Sequence, residues 1–430
     1  MFGGLGKAGW ATILVTGGLM LGTSMSAQAA DLGGDCCTDL EERIAELEAT
    51  TARKGNRKVS LAISGWVNEA VFFWDDGTEQ NVYVGTNALE QSRFKFAGKA
   101  KIDKDWSAGY TIEIGILGAN SNSFSQTSTG SSNTLSVRKS YWYLKSKTYG
   151  TLSVGQNGTA TYHLLDDADA TNTRNYSDAE AAAAAMGAFQ ALSNGTATGL
   201  AWSDILRGFN NRTPGQSGRR NVVRYDSPEF AGFVVTAAWG EDDMWDAALV
   251  YKGEIGDFKV RAQVGYGEST DPGATGGVVG TSVGGCAAQS GGYECQWAGA
   301  AGTIMHKPTG LYVFGGYGMQ TAEPLANPAW EDESTVWIVQ PGIEKKWHPI
   351  GKTTIFAEYR HDEPGSNNNK DVLGADIDFY AAGVVQNVEA AAMDLYAIYR
   401  HAEGDYTTKA GANVGLDDFD MLITGARIQF

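Results

Sequence analysis

Residues Asn157–Arg219 read NGTATYHLLDDADATNTRNYSDAEAAAAAMGAFQALSNGTATGLAWSDILRGFNNRTPGQSGR, and they interrupt an otherwise regular series of short alternating strands. Ser177 opens an S-x-x-E capping box, which predicts a helix over Ala179–Leu192 that stops at Asn194-Gly195. Structureless loops longer than about 15 residues are uncommon, and most are functional or disordered. We therefore interpret this stretch as a loop that folds into the lumen of a membrane β-barrel and narrows it; a disordered or purely surface loop is the alternative.

Outside this loop the sequence has the period of two that is typical of β-strands. Short turns such as Asp103–Asp105 and Lys307–Gly310 alternate with mostly longer polar loops. An even number of strands, with short turns at one end and long loops at the other, is typical of outer-membrane barrels. We therefore predict an all-β fold, a 16-stranded antiparallel transmembrane β-barrel with an inward-folded long third loop. The predicted strands are Val59–Trp74, Ala88–Ile102, Trp106–Leu117, Leu135–Ser146, Gly150–Gln156, Arg220–Ser227, Phe233–Trp239, Met244–Lys252, Phe258–Gly267, Glu294–His306, Leu311–Gln320, Ser334–Trp347, Thr353–Asp362, Ala375–Val388, Ala392–Glu403 and Asp418–Phe430.

The two faces of these strands differ in polarity. In one strand Phe258, Val260 and Val264 share a face, while Lys259 and Arg261 lie on the other. A soluble sandwich would turn the apolar face inward, whereas a barrel in lipid turns it outward and fills the lumen with the polar face. Alternation alone does not separate these two folds, but Trp and Tyr near strand ends fit the interfacial girdles of a membrane barrel.

Composition agrees with a barrel and excludes one class of partner. The 430 residues include 56 Gly, 11% aromatic residues and only 19% charged residues, which is unlike a helical enzyme. The formal net charge is −17, so a phosphate backbone would be repelled and broad nucleic-acid binding is excluded.

The first 29 residues, 1–29, are predicted to be a secretory signal peptide. Lys7 supplies a positive charge, Trp10–Leu21 an apolar core and Ala27–Ala29 a small-x-small cleavage pattern. A membrane anchor is the alternative, but the core is shorter than the roughly 20 residues that a spanning helix needs.

Residues 30–57 are expected to form a periplasmic segment that precedes the barrel of residues 58–430. Within it, Thr38–Lys54 has an apolar seam with the 4-3-4 spacing of a coiled coil. Two heptads are too few to be stable alone. Either several copies join at a symmetry axis, or a single helix lies on the barrel rim. The seam residues are Leu40, Ile44, Leu47 and Thr51.

The four cysteines fall into two pairs. Cys286 and Cys295 flank a Gly/Ser-rich segment, and in an exported protein this spacing favours a local disulfide. Cys36 and Cys37 are vicinal and do not pair easily with each other, so they are either free or crosslink copies of the chain. Neither pair has metal-site spacing with histidines, and we predict no metal and no cofactor.

Five segments carry a resemblance to a known family. They resemble the first, second, fourth and fifth strands of alphaproteobacterial porins and the strand that follows the inserted loop. The individual motifs are weak, and their order around the long loop is the specific part. The segments are Gly65–Gly77, Ser92–Gly98, Val137–Leu144, Tyr149–Gln156 and Val223–Phe233.

The resemblance implies a homotrimer in the outer membrane of a Gram-negative bacterium, in contact with lipid. Each barrel would be a passive pore for small hydrophilic solutes and ions, with a transverse electric field where the third loop narrows it. The positions that match the basic wall are Arg93, Arg138 and Arg224. The positions that match the acidic loop are Asp166, Asp167 and Asp169. Glu69 departs from the pattern, because relatives often have a basic residue there. The alternative for the arginines is an ordinary polar lumen face paired with nearby acids.

We weigh three functions. The first is a general diffusion porin, and the second is a substrate-specific channel with a saturable site, to which Tyr162, Phe189, Trp202 and Phe209 could contribute. The third, a barrel enzyme, is disfavoured because none of the 5 histidines has a recognisable motif partner. Ion selectivity does not follow from the sequence, because it depends on the local field at the narrowest point.

Overall fold

The structure, a computed structural model, describes residues 58–131, 133–173, 186–206, 213–240, 243–270, 294–323, 327–367 and 369–430. The chain from Arg57 to Phe430 forms one compact unit. Several predictions lie outside the described residues: the signal peptide, the periplasmic segment with its coiled coil, and the roles of Cys36, Cys37 and Cys286.

Antiparallel strands make up nearly all of the regular structure in the described residues. Their alternating β-branched and aromatic residues favour this pleated, half-buried state. The strands are β1 Ala62–Asp75, β2 Gln80–Thr86, β3 Arg93–Lys101, β4 Trp106–Leu117, β5 Thr134–Ser146, β6 Gly150–Gly158, β7 Gln190–Ser193, β8 Thr196–Ala201, β9 Arg219–Asp226, β10 Phe233–Gly240, β11 Met244–Ile255, β12 Phe258–Ser269, β13 Glu294–His306, β14 Leu311–Glu323, β15 Glu333–His348, β16 Gly351–Glu363, β17 Gly374–Val388, β18 Met393–Thr407, β19 Asn413–Gly415 and β20 Phe419–Gln429.

Helical structure in the described residues is short. The α-helix α1 covers Trp202–Leu206, and 3-10 turns cover Ala88–Glu90, Ser121–Ser123, Asp166–Ala168 and Glu389–Ala391. Among the described residues, we find no helix with both the length and the hydropathy to cross a bilayer.

The barrel is closed. Every strand except β7 and β8 belongs to one sheet, in which β1 pairs with β20 from Trp66–Gln429 to Asp75–Asp420. Two of its strands are interrupted: β2 and β3 both pair with β1, and β19 and β20 both pair with β18. Counting each interrupted strand once gives the predicted 16. Closure leaves no unpaired sheet edge, which hydrocarbon would not tolerate.

The outward faces match the prediction. Val264 is 51% exposed, Ile355 49% and Leu422 41%, while the alternate positions Gln263 and Arg360 are buried inside. Apolar side chains therefore lie on the outer surface of the barrel, and the soluble-sandwich alternative is wrong.

The inward face is not polar throughout, which corrects the expectation of a polar lumen. On the side of β14–β20 and β1, buried apolar side chains line the interior as one continuous cluster. Phe314, Phe356, Ile398 and Ile423 all belong to it. Residues from both parts of the long loop, such as Leu165 and Trp202, belong to the same cluster, so these wall side chains face protein instead of water.

The helix predicted over Ala179–Leu192 is wrong where it can be compared. Residues 179–185 lie outside the described part of the chain, and Gln190–Leu192 belongs to strand β7, which pairs with β8. Asn194 and Gly195 adopt φ of 49° and 72°, the left-handed conformation of a type I′ hairpin turn. The Asn-Gly pair therefore joins two strands and does not end a helix.

Most of the described long loop lies inside the barrel, as predicted, and the exposed tip of the β7–β8 hairpin bonds to Asp417. Phe189, with no exposed surface, packs 5.0 Å from the ring of Trp74 and 4.9 Å from that of Phe419. On the opposite wall, the loop backbone at Pro214 approaches so closely that a Cβ on Gly318 would lie 1.9 Å from its carbonyl oxygen. The loop thus packs on both walls.

Candidate functional site

The start of the long loop is fixed to the wall by a buried carboxylate. Asp246 on β11 accepts hydrogen bonds from the amides of Ala160 (2.9 Å) and Thr161 (2.8 Å) and from the Thr161 hydroxyl (2.6 Å). The indole of Trp297 on β13 donates to the same hydroxyl at 2.9 Å. The chain therefore turns into the lumen directly after β6.

The loop then follows the inner wall of β12 and β13. Lys259 donates to the carbonyl of Ala170 and Arg261 to that of Asp169, both at 2.7 Å, and the Thr303 hydroxyl donates to the carbonyl of Ala168 at 2.7 Å. Two basic side chains of the wall thus bind backbone carbonyls of the loop and not its carboxylates.

Two of the three predicted loop acids are buried within the loop. Asp166 pairs with His163 at 2.6 Å. Asp169 is fully buried and accepts hydrogen bonds from the hydroxyls of Thr171 (2.7 Å) and Thr173 (2.6 Å). Burial raises the pKa of Asp169, against the opposing effect of these hydrogen bonds. Both side chains hold the shape of the loop.

Two of the three predicted wall arginines share one carboxylate. Arg93 on β3 lies 3.4 Å from Glu113 on β4, and Arg138 on β5 donates to the same Glu113 oxygen at 2.9 Å. Arg93 also pairs with Glu90 at 3.2 Å, and its guanidinium lies 4.5 Å from the ring centre of Trp66. This packing holds the side chains of three neighbouring strands in fixed positions.

The third wall arginine links β9 to the loop. Arg224 donates to Asp226 at 2.8 Å and to the carbonyls of Gly158 (3.1 Å) and Thr159 (2.6 Å). The predicted wall arginine therefore contacts loop backbone.

A cavity of about 560 Å³ opens between this wall and the first part of the loop. Arg93, Arg224 and Asp167 all line it, so the fold brings these three predicted residues together. Arg138 does not line the cavity but pairs with Glu113, which does. Its charged lining residues are Glu90, Arg93, Glu113, Lys139, Asp167, Arg224, Asp226, Glu229 and Lys252. Both signs of charge face one polar space, on the side of the barrel that the apolar cluster does not fill.

Tyr162, one of the aromatic residues considered for a saturable site, lies at the charged cavity. Its ring lies 5.3 Å from the Lys139 ammonium and 5.9 Å from the Arg219 guanidinium, and it lines the cavity. Burial by itself would raise the pKa of Tyr162, but the positive charges of His163 and Arg219, with Arg138 and Lys139, lower it to about 7. Basic side chains therefore surround this ring.

The other loop aromatics behave as packing residues. Phe189 and Trp202 are buried in the apolar cluster, and Phe209 lies outside the described residues. Glu113, Lys139 and Asp246 were missed by sequence reasoning. Their only signal was a charged residue on the inward face of a strand, which many positions share.

The predicted disulfide can be followed at one end only. Cys295 at the start of β13 is disulfide-bonded, and Cys286 lies outside the described residues.

A closed barrel with outward apolar faces and a charged lumen narrowed by an inserted loop defines a class of protein, the outer-membrane channels. The model of the Gram-negative porin family matches residues 15–415, and this chain belongs to that family. It is therefore an outer-membrane porin. No curated protein sequence matches it.

Solved structures share the fold at low sequence identity. The anion-selective porin from Comamonas acidovorans is 14% identical, with 86% of this chain and 100% of that chain covered and a TM-score of 0.57. A loop L8 deletion mutant of OmpT, an outer membrane protein of Vibrio cholerae, is 15% identical (87% and 100% covered, TM-score 0.54). Salmonella typhi OmpF in complex with daunomycin is 14% identical (87% and 98% covered, TM-score 0.52).

Proposed function

We propose that solutes cross this porin by passive diffusion through the charged cavity between the first part of the long loop and the wall of β3–β12. The observation that carries the proposal is that Arg93, Arg224 and Asp167 line one polar space. The opposite half of the lumen is filled by the apolar cluster and the β7–β8 hairpin, which leaves this side for water.

Charges of both signs on the cavity wall would act on what passes. Arg93 and Arg138 bracket Glu113 on the wall, while Asp167 lies on the loop. A field between fixed opposite charges orders water, so a small polar solute replaces ordered water at little cost and an apolar solute must disrupt it. The ion preference of the pore then depends on which of these charges lies at its narrowest point.

The test is the zero-current potential of purified porin in planar bilayers under a salt gradient. Arg138→Ala removes one cation beside Glu113 and is expected to shift the potential toward cation selectivity. Lys104→Ala, in the exposed turn Asp103–Asp105, is the matched control and should leave it unchanged. An unchanged potential for Arg138→Ala would remove that residue from the constriction, and folded protein without channel steps would refute the pore itself.

A substrate-specific channel is the second candidate, and one feature favours it. Tyr162 presents a ring flanked by Lys139 and Arg219, which suits a planar anionic solute. Solute flux that saturates with concentration, and ceases to saturate in Tyr162→Ala, would support a specific site. Flux that stays linear in concentration supports general diffusion.

We also propose the finer properties that the sequence predicts. The chain would be a homotrimer, as in the solved trimer form of Vibrio cholerae OmpT, and native mass spectrometry of the detergent-solubilised porin should give three chains. Cys286 would be the partner of Cys295, and peptide mapping without reduction would find the linked peptides. The order of the motifs supports an alphaproteobacterial origin. Membership of a family of channels supports the absence of catalysis.

A further inference from the structure

A short motif occurs twice on the barrel, on strands separated by one neighbour. Residues 357–363 on β16 read AEYRHDE, and residues 397–403 on β18 read AIYRHAE. The strands that pair with them also share a motif, since 376–379 on β17 reads DIDF and 418–421 at the start of β20 reads DFDM. Register places His361 opposite Asp378 and His401 opposite Asp420. The barrel therefore carries two equivalent constellations.

The first constellation has one imidazole among three carboxylates. Nδ1 of His361 lies 2.8 Å from Asp378, which also accepts a hydrogen bond from Tyr359 at 2.6 Å. When Nδ1 donates to Asp378, Nε2 carries the lone pair. Nε2 faces Glu363 at 3.6 Å, while Asp376 lies 3.7 Å from Nδ1. The separation between Nε2 and Glu363 exceeds a hydrogen bond and leaves two acceptors facing each other.

The second constellation repeats this geometry. Nδ1 of His401 lies 2.9 Å from Asp420, to which Tyr399 also donates. Nε2 faces Glu403 at 3.8 Å. In each set, one His nitrogen and two carboxylate oxygens lie within 4.8 Å of one another, with Asp418 as the third member of the second set.

This arrangement resembles the hydrogen bonding that orients a metal-binding histidine. A histidine ligand commonly donates its second ring N–H to a carboxylate, which fixes the tautomer and aims the lone pair at the metal. Asp378 and Asp420 occupy that supporting position, and Glu363 and Glu403 stand where further ligands would be needed. Mixed imidazole and carboxylate ligands suit a borderline divalent ion such as Zn²⁺ better than Ca²⁺ or Mg²⁺.

Both constellations lie on the outside of the barrel, toward the long-loop ends of the strands. Tyr380 and Tyr399 beside them are 41% and 47% exposed. Directly below runs a row of aromatic rings, with 4.8 Å between Trp337 and Tyr359 and 5.2 Å between Tyr359 and Tyr380. Such rows mark the membrane–water interface, so the histidines and acids lie at the level of polar headgroups. The side chains of Glu363 and Glu403 are 60% and 47% exposed there, and those of His361 and His401 are 16% and 23% exposed.

We propose that His361, Glu363 and Asp376, and likewise His401, Glu403 and Asp418, form two divalent-cation sites on the outer wall, each selective for a borderline transition ion. The bound ion offsets the clustered negative charge of each set and bridges two neighbouring barrel strands. These sites are separate from the pore, so they do not depend on the proposed path of solutes.

The test is a calorimetric titration with Zn²⁺ of full-length, untagged porin in detergent, after chelator treatment and with thiols alkylated. We expect two ions per chain, one each for His361→Ala and His401→Ala, and none for the double variant. His348→Ala, at the exposed end of β15, should keep two ions. Heat-modifiable migration on gels verifies that each variant retains a folded barrel.

Three results would overturn the proposal. Absence of Zn²⁺ binding to the folded porin would mean that the histidines are protonated and simply paired with their acids. Zn²⁺ binding that survives in the double variant would place the ion elsewhere. Displacement of Zn²⁺ by equimolar Ca²⁺ would show that the imidazoles are not ligands.

Discussion

The buried carboxylate of Asp246 should control whether the long loop stays docked in the lumen. Three donors from Ala160 and Thr161 converge on it at 2.6–2.9 Å. Asp246→Asn keeps the shape but replaces one acceptor oxygen with an NH₂ donor, so the donors on that oxygen lose their partner. Hydrogen bonds to charged groups contribute about 1.5–3 kcal/mol each, and we expect the loop start to lose about 3 kcal/mol.

Hydrogen exchange of folded porin in detergent measures this cost locally. Since about 1.4 kcal/mol corresponds to a factor of ten, exchange of the Thr161 amide should accelerate roughly 100-fold. Asp105→Asn, the same substitution in an exposed turn, should leave that amide unchanged. Protection at Thr161 that is unaltered in Asp246→Asn, or a loss of protection spread equally over all barrel strands, would refute the role of Asp246 as a loop anchor.

Two further changes in the loop have measurable consequences. Phe189→Ala should cost about 3–5 kcal/mol of packing and raise single-channel conductance by releasing the β7–β8 hairpin, whereas Phe230→Ala, at a site 82% exposed, should do neither. Because burial raises the pKa of Asp169, the folded loop binds its proton more readily than the unfolded chain does. The unfolding temperature should therefore rise as the pH falls through that raised pKa toward about 4, the pKa of an unperturbed Asp. This rise should be absent in Asp169→Asn. An identical pH profile of the unfolding temperature in both proteins would contradict the assignment.

The barrel could be predicted from sequence because a strand with two different environments leaves a period of two. The outward residues Val264, Ile355 and Leu422 were assigned correctly on that pattern alone. The apolar half of the lumen could not be predicted. Phe356 and Ile398 face protein, and the same apolar residue types occur whether a side chain faces a docked loop or lipid.

Local sequence was also ambiguous in the loop itself. The alanine-rich run and Asn194-Gly195 fit a helix with its stop as well as they fit a hairpin turn. Packing of Phe189 between Trp74 and Phe419 stabilises the strand conformation, and that contact joins residues far apart in the chain. Propensity yields to such tertiary contacts.

The candidate site divides in the same way. Arg93, Arg224 and Asp167 were assigned by motif order, and the fold does bring them to one cavity. Their role at the constriction stays a prediction. Asp246 was missed because its hydrogen-bond donors lie in the loop. Without the docked loop, nothing distinguishes it from other charged residues on the inner wall.

The central claim is that water and solutes pass through the charged cavity and not through the apolar side of the lumen. Gln263→Cys places a thiol on the cavity wall, and Ile398→Cys places one beneath the loop in the apolar cluster. A charged thiol reagent added to open channels in a planar bilayer should lower the conductance of Gln263→Cys and leave Ile398→Cys and the unsubstituted porin unchanged. Block of Ile398→Cys with no effect on Gln263→Cys would contradict the account.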